Sequence, residues 1–264
     1  MKKLSTAILL AGSLFALNTV RAAETAPLPS VTEGFRFVVT PYAWMSGITG
    51  KVDYNNTQRI DTRVSANQLL SNTDVAAMIE GEVHYARWGL MGNAVYAKTS
   101  QLGSKSNIRD LGVTIDSNSD SWMGIYTLAG TYTAYSTPSV YLDVLAGARF
   151  LNMNSKTTLS GSLPTGYLGD RTLYASVNAT DAIGGAKGRV RIADSNFYVP
   201  FYLDAGGGSA VAKFTSQQAL GVGYAFQYVD VSLVYNNLYY SMSKNQVSSY
   251  LNMSGPALAA TFRF

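Results

Sequence analysis

Beyond residue 22 this chain is rich in apolar side chains, yet it never strings enough of them together to cross a membrane as a helix. Apolar residues make up 47% and charged residues 14%, against roughly 25% charge in typical soluble domains. A spanning helix needs about 20 consecutive apolar residues, and no run past residue 22 approaches that length. Alternation reconciles the two facts. In a β-strand every second side chain faces the same way, so one face can meet lipid while the other lines a polar interior.

Period-two runs ending in turn residues can be drawn at 35–46, 74–85, 88–100, 119–134, 139–152, 180–192, 197–210, 215–228, 229–243 and 254–264. In 74–85, Val75, Ala77, Ile79, Val83 and Tyr85 oppose Asp74, Glu80, Glu82 and His84. In 139–152, Val140, Leu142, Val144, Ala146 and Phe150 oppose Asp143 and Arg149. In 180–192, Ala182, Ala186, Val190 and Ile192 oppose Asp181, Lys187, Arg189 and Arg191. A two-layer soluble sandwich also alternates, but it would carry more charge on its outward face. The expected fold is therefore all-β, a transmembrane antiparallel up-and-down β-barrel of 10 strands. Eight or twelve stay open, because 47–66 could form a hairpin of its own.

Connections support the same reading. Those at 86–87, 135–139, 193–196 and 228–229 are short. The segments 47–73, 101–118, 153–179 and 244–253 are long, polar and read as loops; 208–215 is brief although it falls on the long side. Short periplasmic turns and long external loops are the rule for outer-membrane barrels.

The first residues set the compartment. Lys2 and Lys3 precede an apolar stretch from Ala7 to Leu17, and Val20-Arg21-Ala22 offers small or β-branched residues for cleavage. This is the layout of a signal peptide, with the cut expected after Ala22, Ala23 being the close alternative. Loss of Lys2, Lys3 and Arg21, with no acid, would lower the formal charge of +4 to +1. The pI near 9.1 then belongs mostly to the leader, and nucleic acid is not an expected partner. With no Cys in the chain, disulfides and thiolate metal sites are unavailable. The expected organisation is 1–22 signal peptide, 23–34 periplasmic N-terminal segment and 35–264 barrel, exported to the outer membrane of a Gram-negative cell.

At the far end, Leu258, Ala260, Phe262 and Phe264 share one face. A closing strand with a terminal aromatic resembles the signal read by the outer-membrane assembly machinery, so Phe262 and Phe264 are the candidate assembly signal. The expected partners are that machinery and periplasmic chaperones in transit, then outer-membrane lipid and lipopolysaccharide.

Several short motifs now resemble those of a family of mostly uncharacterised proteobacterial outer-membrane proteins. They are Thr40-Pro41-Tyr42-Ala43-Trp44 with Gly47-Ile48-Thr49-Gly50, Glu82 through Arg87-Trp88-Gly89-Leu90, Gly147-Ala148-Arg149, Asp204-Ala205-Gly206-Gly207, Gly221-Val222-Gly223-Tyr224, Tyr235, and Gly255-Pro256-Ala257-Leu258 before Phe262-Arg263-Phe264. The likeness spans roughly residues 35–264. It implies location and fold and no particular activity. Asn93 and Asn236 depart from the family pattern, which has an acid and an arginine there.

Interior chemistry follows from the alternation. Glu80, Glu82, Asp143, Asp181, Asp204 and Asp230 are expected to face inward with Arg36, Arg149, Lys187, Arg189, Arg191 and Arg263. Isolated buried charge is costly, so these groups should pair. Pairing makes either a plug that stiffens a filled barrel or a charged constriction that selects small solutes. The expected role is structural or surface-interacting, with a porin-like channel as the alternative. His84, the one histidine, sits by the 86–87 turn at the periplasmic end, away from the outer leaflet where lipid-hydrolysing barrels work. No enzymatic activity, cofactor or metal is therefore expected, although Glu80, Glu82 and His84 share a face. Trp88 and the tyrosines near strand ends read as aromatic girdles, and Gly184-Gly185 and Gly206-Gly207-Gly208 as places of close backbone approach.

Overall fold

The computed structural model describes residues 27–54, 58–108, 113–163, 166–208, 212–244 and 247–264. The expected signal peptide and its cleavage site lie outside them. Strands β1 (Phe35–Trp44) and β2 (Gly47–Tyr54) are followed by β3 (Gln58–Val64), a short helix α1 (Ala66–Ser71) and β4 (Thr73–Tyr85). Then come β5 (Trp88–Ile108), β6 (Val113–Ser136), β7 (Val140–Leu163), β8 (Gly166–Arg191), β9 (Phe197–Gly207), β10 (Ala212–Ala225), β11 (Asp230–Lys244) and β12 (Val247–Arg263). Each strand from β4 onward pairs antiparallel with its neighbour, β4 pairs with β1, and β1 pairs with β12. The result is a closed antiparallel barrel of ten strands. Closure leaves no strand edge in the ring, which is the condition for a sheet to sit in lipid.

The seam is made by the backbones of Phe37 and Phe264, which exchange N–H···O bonds of 3.0 and 2.9 Å. The hairpin at 47–66 forms, but it does not raise the strand number. β2 continues the line of β1 past a break at Met45 and Ser46, pairing with the outer part of β12 (Ser254↔Gly47 to Val247↔Tyr54), and β3 pairs only with β2.

The outer wall is apolar between two aromatic belts. At the end of the short turns, Phe35 lies 5.1 Å from Tyr85, Trp88 lies 4.9 Å from Tyr132, and Phe197 lies 4.8 Å from Tyr224. At the other level Tyr96 meets Trp122 at 6.5 Å and Phe214 meets Tyr239 at 6.3 Å. Between them Ile79, Leu90, Leu128, Leu203, Leu220 and Leu233 stand exposed. Trp88 and Tyr96, on β5, are separated by about the 9–11 residues that span a bilayer. The side chains assigned outward from alternation thus form a lipid-facing band with girdles.

The structure corrects the reading of 101–118, 153–179 and 244–253 as loops. β6 and β7 each have 24 residues and β8 has 26, so about half of each stands outside the bilayer. Above the lipid the outward face turns largely polar and the apolar alternation fades, which hid these strands. Hydroxyl and carboxylate pairs hold them instead: Ser119 to Thr157 at 2.9 Å, Ser121 to Ser155 at 2.8 Å and Ser160 to Asp170 at 2.6 Å. β9, with 11 residues, and β10, with 14, form a much lower wall. Pro200 sits within β9 without a bulge, since Phe201↔Leu220 and Tyr198↔Gly223 keep one register on either side of it.

Candidate functional site

The lumen carries the chemistry. At the periplasmic end, residues 27–34 fold back against it: Pro27 and Leu28 are buried, and the Pro27 carbonyl accepts from Arg189 at 3.4 Å. Arg36 donates to the Ser30 carbonyl and, at 2.8 Å, to the Tyr141 hydroxyl. Asp143 accepts from Thr133 at 2.8 Å. Asp230, from the start of β11, takes two guanidinium groups, Arg189 at 2.6 Å and Arg263 at 2.7 Å. The Arg189 guanidinium also lies 4.6 Å from the ring centre of Tyr198.

One level further in, Lys187 forms an ion pair with Glu82 and reaches Glu80 at 3.8 Å. His84 Nε2 lies 2.9 Å from Glu82, on the same inward face of β4. Gly89 makes room for that imidazole, because a Cβ there would come 2.6 Å from Nδ1. Glu82, His84 and Asp143 each bring a potential ligand atom within 4.8 Å of the others. Lys187 already supplies a cation to Glu82, so the charge a metal would bring is provided by the protein. Around this level lies a cavity of about 210 Å³ bordered by Arg36, Glu80, Glu82, Lys187 and Arg189.

At mid-membrane depth Arg149 fills the centre. Its guanidinium pairs with Asp204, both side chains being 0% exposed. It also donates to Gln217 at 2.8 Å, Thr215 at 3.3 Å and Thr127 at 3.4 Å. Asp204 accepts from the Tyr202 hydroxyl at 2.5 Å and the Gln217 N–H at 3.1 Å. Asp181, the register partner of Arg149, is fully buried beside it. Thus every hydrogen-bonding direction of the buried pair is used, which is what makes such a pair tolerable in a confined site.

Glu80, Glu82, Asp143, Arg149, Asp181, Lys187, Arg189 and Asp204 are therefore together inside the barrel. Arg191 is not with them. It lies at the periplasmic turn and donates to the Ser195 carbonyl at 2.8 Å, because β8 leaves the ring there. The partner of Arg189 is Asp230 rather than Glu80, Glu82 or Asp143. Asn93 bridges Glu80 (3.2 Å) and the Tyr42 hydroxyl (3.1 Å), and Asn236 accepts from Gln217 at 3.2 Å. Both departures from the family pattern thus fall in the lumen network. At Gly185 and Gly206 an added Cβ would collide with the carbonyl oxygens of Leu203 and Ala182, so close backbone approach is what these glycines permit.

No protein-family model matches the chain, and no curated protein matches it. Among solved structures, the outer membrane protease OmpT of Escherichia coli is similar at 11% identity over 89% of this chain and 99% of that one, with a TM-score of 0.50. The attachment invasion locus protein Ail of Yersinia pestis aligns at 11% identity over 88% of this chain and 100% of that one, with a TM-score of 0.33. With its apolar belt, paired girdles and closed ring, this chain is an outer-membrane β-barrel.

Proposed function

We propose that the barrel is a closed, non-conducting scaffold whose tall external hairpins act at the cell surface. The observation that carries this reading is the Arg149–Asp204 pair, buried at 0% exposure across the middle of the lumen and bonded on all sides. A water-filled pore would leave such groups hydrated. The external parts of β5 to β8 then offer Ser-, Thr- and Asn-rich strands to a surface partner. In this reading Phe262 and Phe264 serve the assembly machinery, residues 1–22 are removed in export, and the chain falls in the proteobacterial family whose motifs it resembles. The similar barrel OmpT is a protease. A histidine-dependent hydrolytic site facing outward does not suit this chain, since its single histidine is buried at the opposite end against Glu82.

Planar-bilayer recording of the purified barrel tests the proposal. No steady conductance is expected. A stable single-channel current whose cation-to-anion preference changes in Lys187→Ala would replace it with the selective-channel reading.

A further inference from the structure

Outward of Arg149 the lumen changes chemistry. On β7 the inward series runs Arg149, Leu151, Met153, Ser155, Thr157, and Leu151 is 1% exposed. A cavity of about 460 Å³ opens here, encircled by β1, β2, β4 to β8, β11 and β12, with α1 along one side. Six of the chain's eight methionines line it: Met45, Met78, Met123, Met153, Met242 and Met253. Met123 and Met153 are register partners, level with the Trp122 girdle.

Several hydroxyls of this wall are already committed. Ser119 bonds Thr157 and Ser121 bonds Ser155 across β6 and β7. Lys51 is the one charged side chain among the described residues of the wall, and its ammonium lies 5.2 Å from the ring centre of Tyr250. Trp44, 5% exposed, uses its indole N–H on the Gly255 carbonyl at 3.2 Å. The cavity therefore offers thioether and hydrocarbon surface and little hydrogen-bonding demand.

We propose that this cavity is a binding site for an uncharged, predominantly apolar small molecule admitted from the cell exterior. Water fills an apolar void poorly because it finds too few polar partners. A cation finds no counter-charge in the described wall, and an anion finds only the Lys51 ammonium, which lies against the Tyr250 ring. A peptide strand or helix does not suit a space walled by most strands of the ring and floored by Leu151, whereas the volume lies in the roughly 300–1,000 Å³ range of small-molecule sites. Unbranched, polarisable methionine side chains adapt to ligands of differing shape, so the site accepts a class of apolar molecules rather than one. Leu151, with Arg149 below it, forms the floor. The ligand is held there and does not pass to the periplasm.

The test uses the full barrel in lipid nanodiscs, since detergent tails would compete. With Trp88→Phe and Trp122→Phe, Trp44 is the sole tryptophan, and energy transfer to N-phenyl-1-naphthylamine reports a probe inside the lumen. Saturable transfer is expected, displaced by naphthalene and not by naphthalene sulfonate. Met123→Lys should weaken binding by about tenfold or more, because an ammonium keeps its water and excludes an apolar body. Heat-modifiable migration checks that this variant folds. If it does not, Ala97→Leu, which takes up cavity volume without charge, must reduce saturable binding instead. Non-saturable transfer, equal displacement by the sulfonate, or saturable binding unchanged in a folded variant would each overturn the proposal.

Discussion

The two halves of the lumen, divided at Arg149, obey opposite rules although the same ten strands build both. On the periplasmic side the inward face carries Glu80, Glu82, Lys187, Arg189 and Asp230, joined into ion pairs, and Asp143, which accepts from Thr133. On the outer side the same face carries Leu151, Met153, Val95 and Met253. Period two fixes which residues face inward, but it does not fix whether the interior is polar. Polarity follows the side chains each half turns inward: paired charges around the smaller cavity of about 210 Å³, thioether and hydrocarbon around the larger one of about 460 Å³.

The sharpest way to break this contrast is to cut one residue from each half. Arg149→Ala should be the most damaging, since it strands Asp204 with no cation in a dry site. Breaking a buried pair costs about 3–5 kcal/mol, read as a lower urea midpoint for the folded barrel in vesicles. Leu151→Ala, two residues along the same inward face, should cost about 2–3 kcal/mol from lost burial. If Arg149→Ala proved the milder of the two, the periplasmic half would be hydrated and the division would fail.

Arg189→Ala should rank next and refine the picture within the charged half. Asp230 keeps Arg263 at 2.7 Å, so the carboxylate is not stranded. The main loss is the charged hydrogen bond from Arg189, about 1.5–3 kcal/mol, with the long bond to the Pro27 carbonyl and the Tyr198 ring contact adding little. A cost equal to that of Arg149→Ala would mean that Arg263 does not compensate.

Legibility in the sequence follows the same division. The lipid face, the ten strands and the inward charges were readable because apolar and charged residues alternate sharply in runs such as 74–85 and 139–152. Met123, Met153 and Met253 were not readable as a site. Apolar residues on both faces of a strand give no alternation, and inward direction was assigned from charge. The tall parts of β6, β7 and β8 lack the signal because their outward face is polar too, as at Asn118, Asp120, Asn154, Lys156 and Thr158. Arg191 has the right parity for the lumen, and only the end of β8 removes it. No signal in sequence spacing marks that end beyond the Asp194-Ser195-Asn196 turn.

The smallest effect expected lies outside the lumen and sharpens the role of the short turns. Ala86 holds φ at 49° between β4 and β5, a left-handed conformation that costs a residue with a Cβ roughly 1–2 kcal/mol. Glycine adopts it freely but loses more chain entropy on folding. Ala86→Gly should therefore stabilise the barrel by about 0.5–1 kcal/mol, raising the urea midpoint slightly. A loss of stability would show that the hairpin is held by more than its backbone.

The bonds between Phe37 and Phe264 have a kinetic meaning. They join the two most distant strands of the barrel, so the ring cannot close until nearly all of it has been delivered. Until then β1 and β12 each present a row of unpaired donors and acceptors, the feature by which sheets recruit stray chains. Contacts so remote in sequence also form slowly, because the intervening chain must be ordered before they are rewarded. A molecule built this way depends on being kept apart from its own copies while it waits. Its most hazardous moment is therefore the interval before the seam is joined.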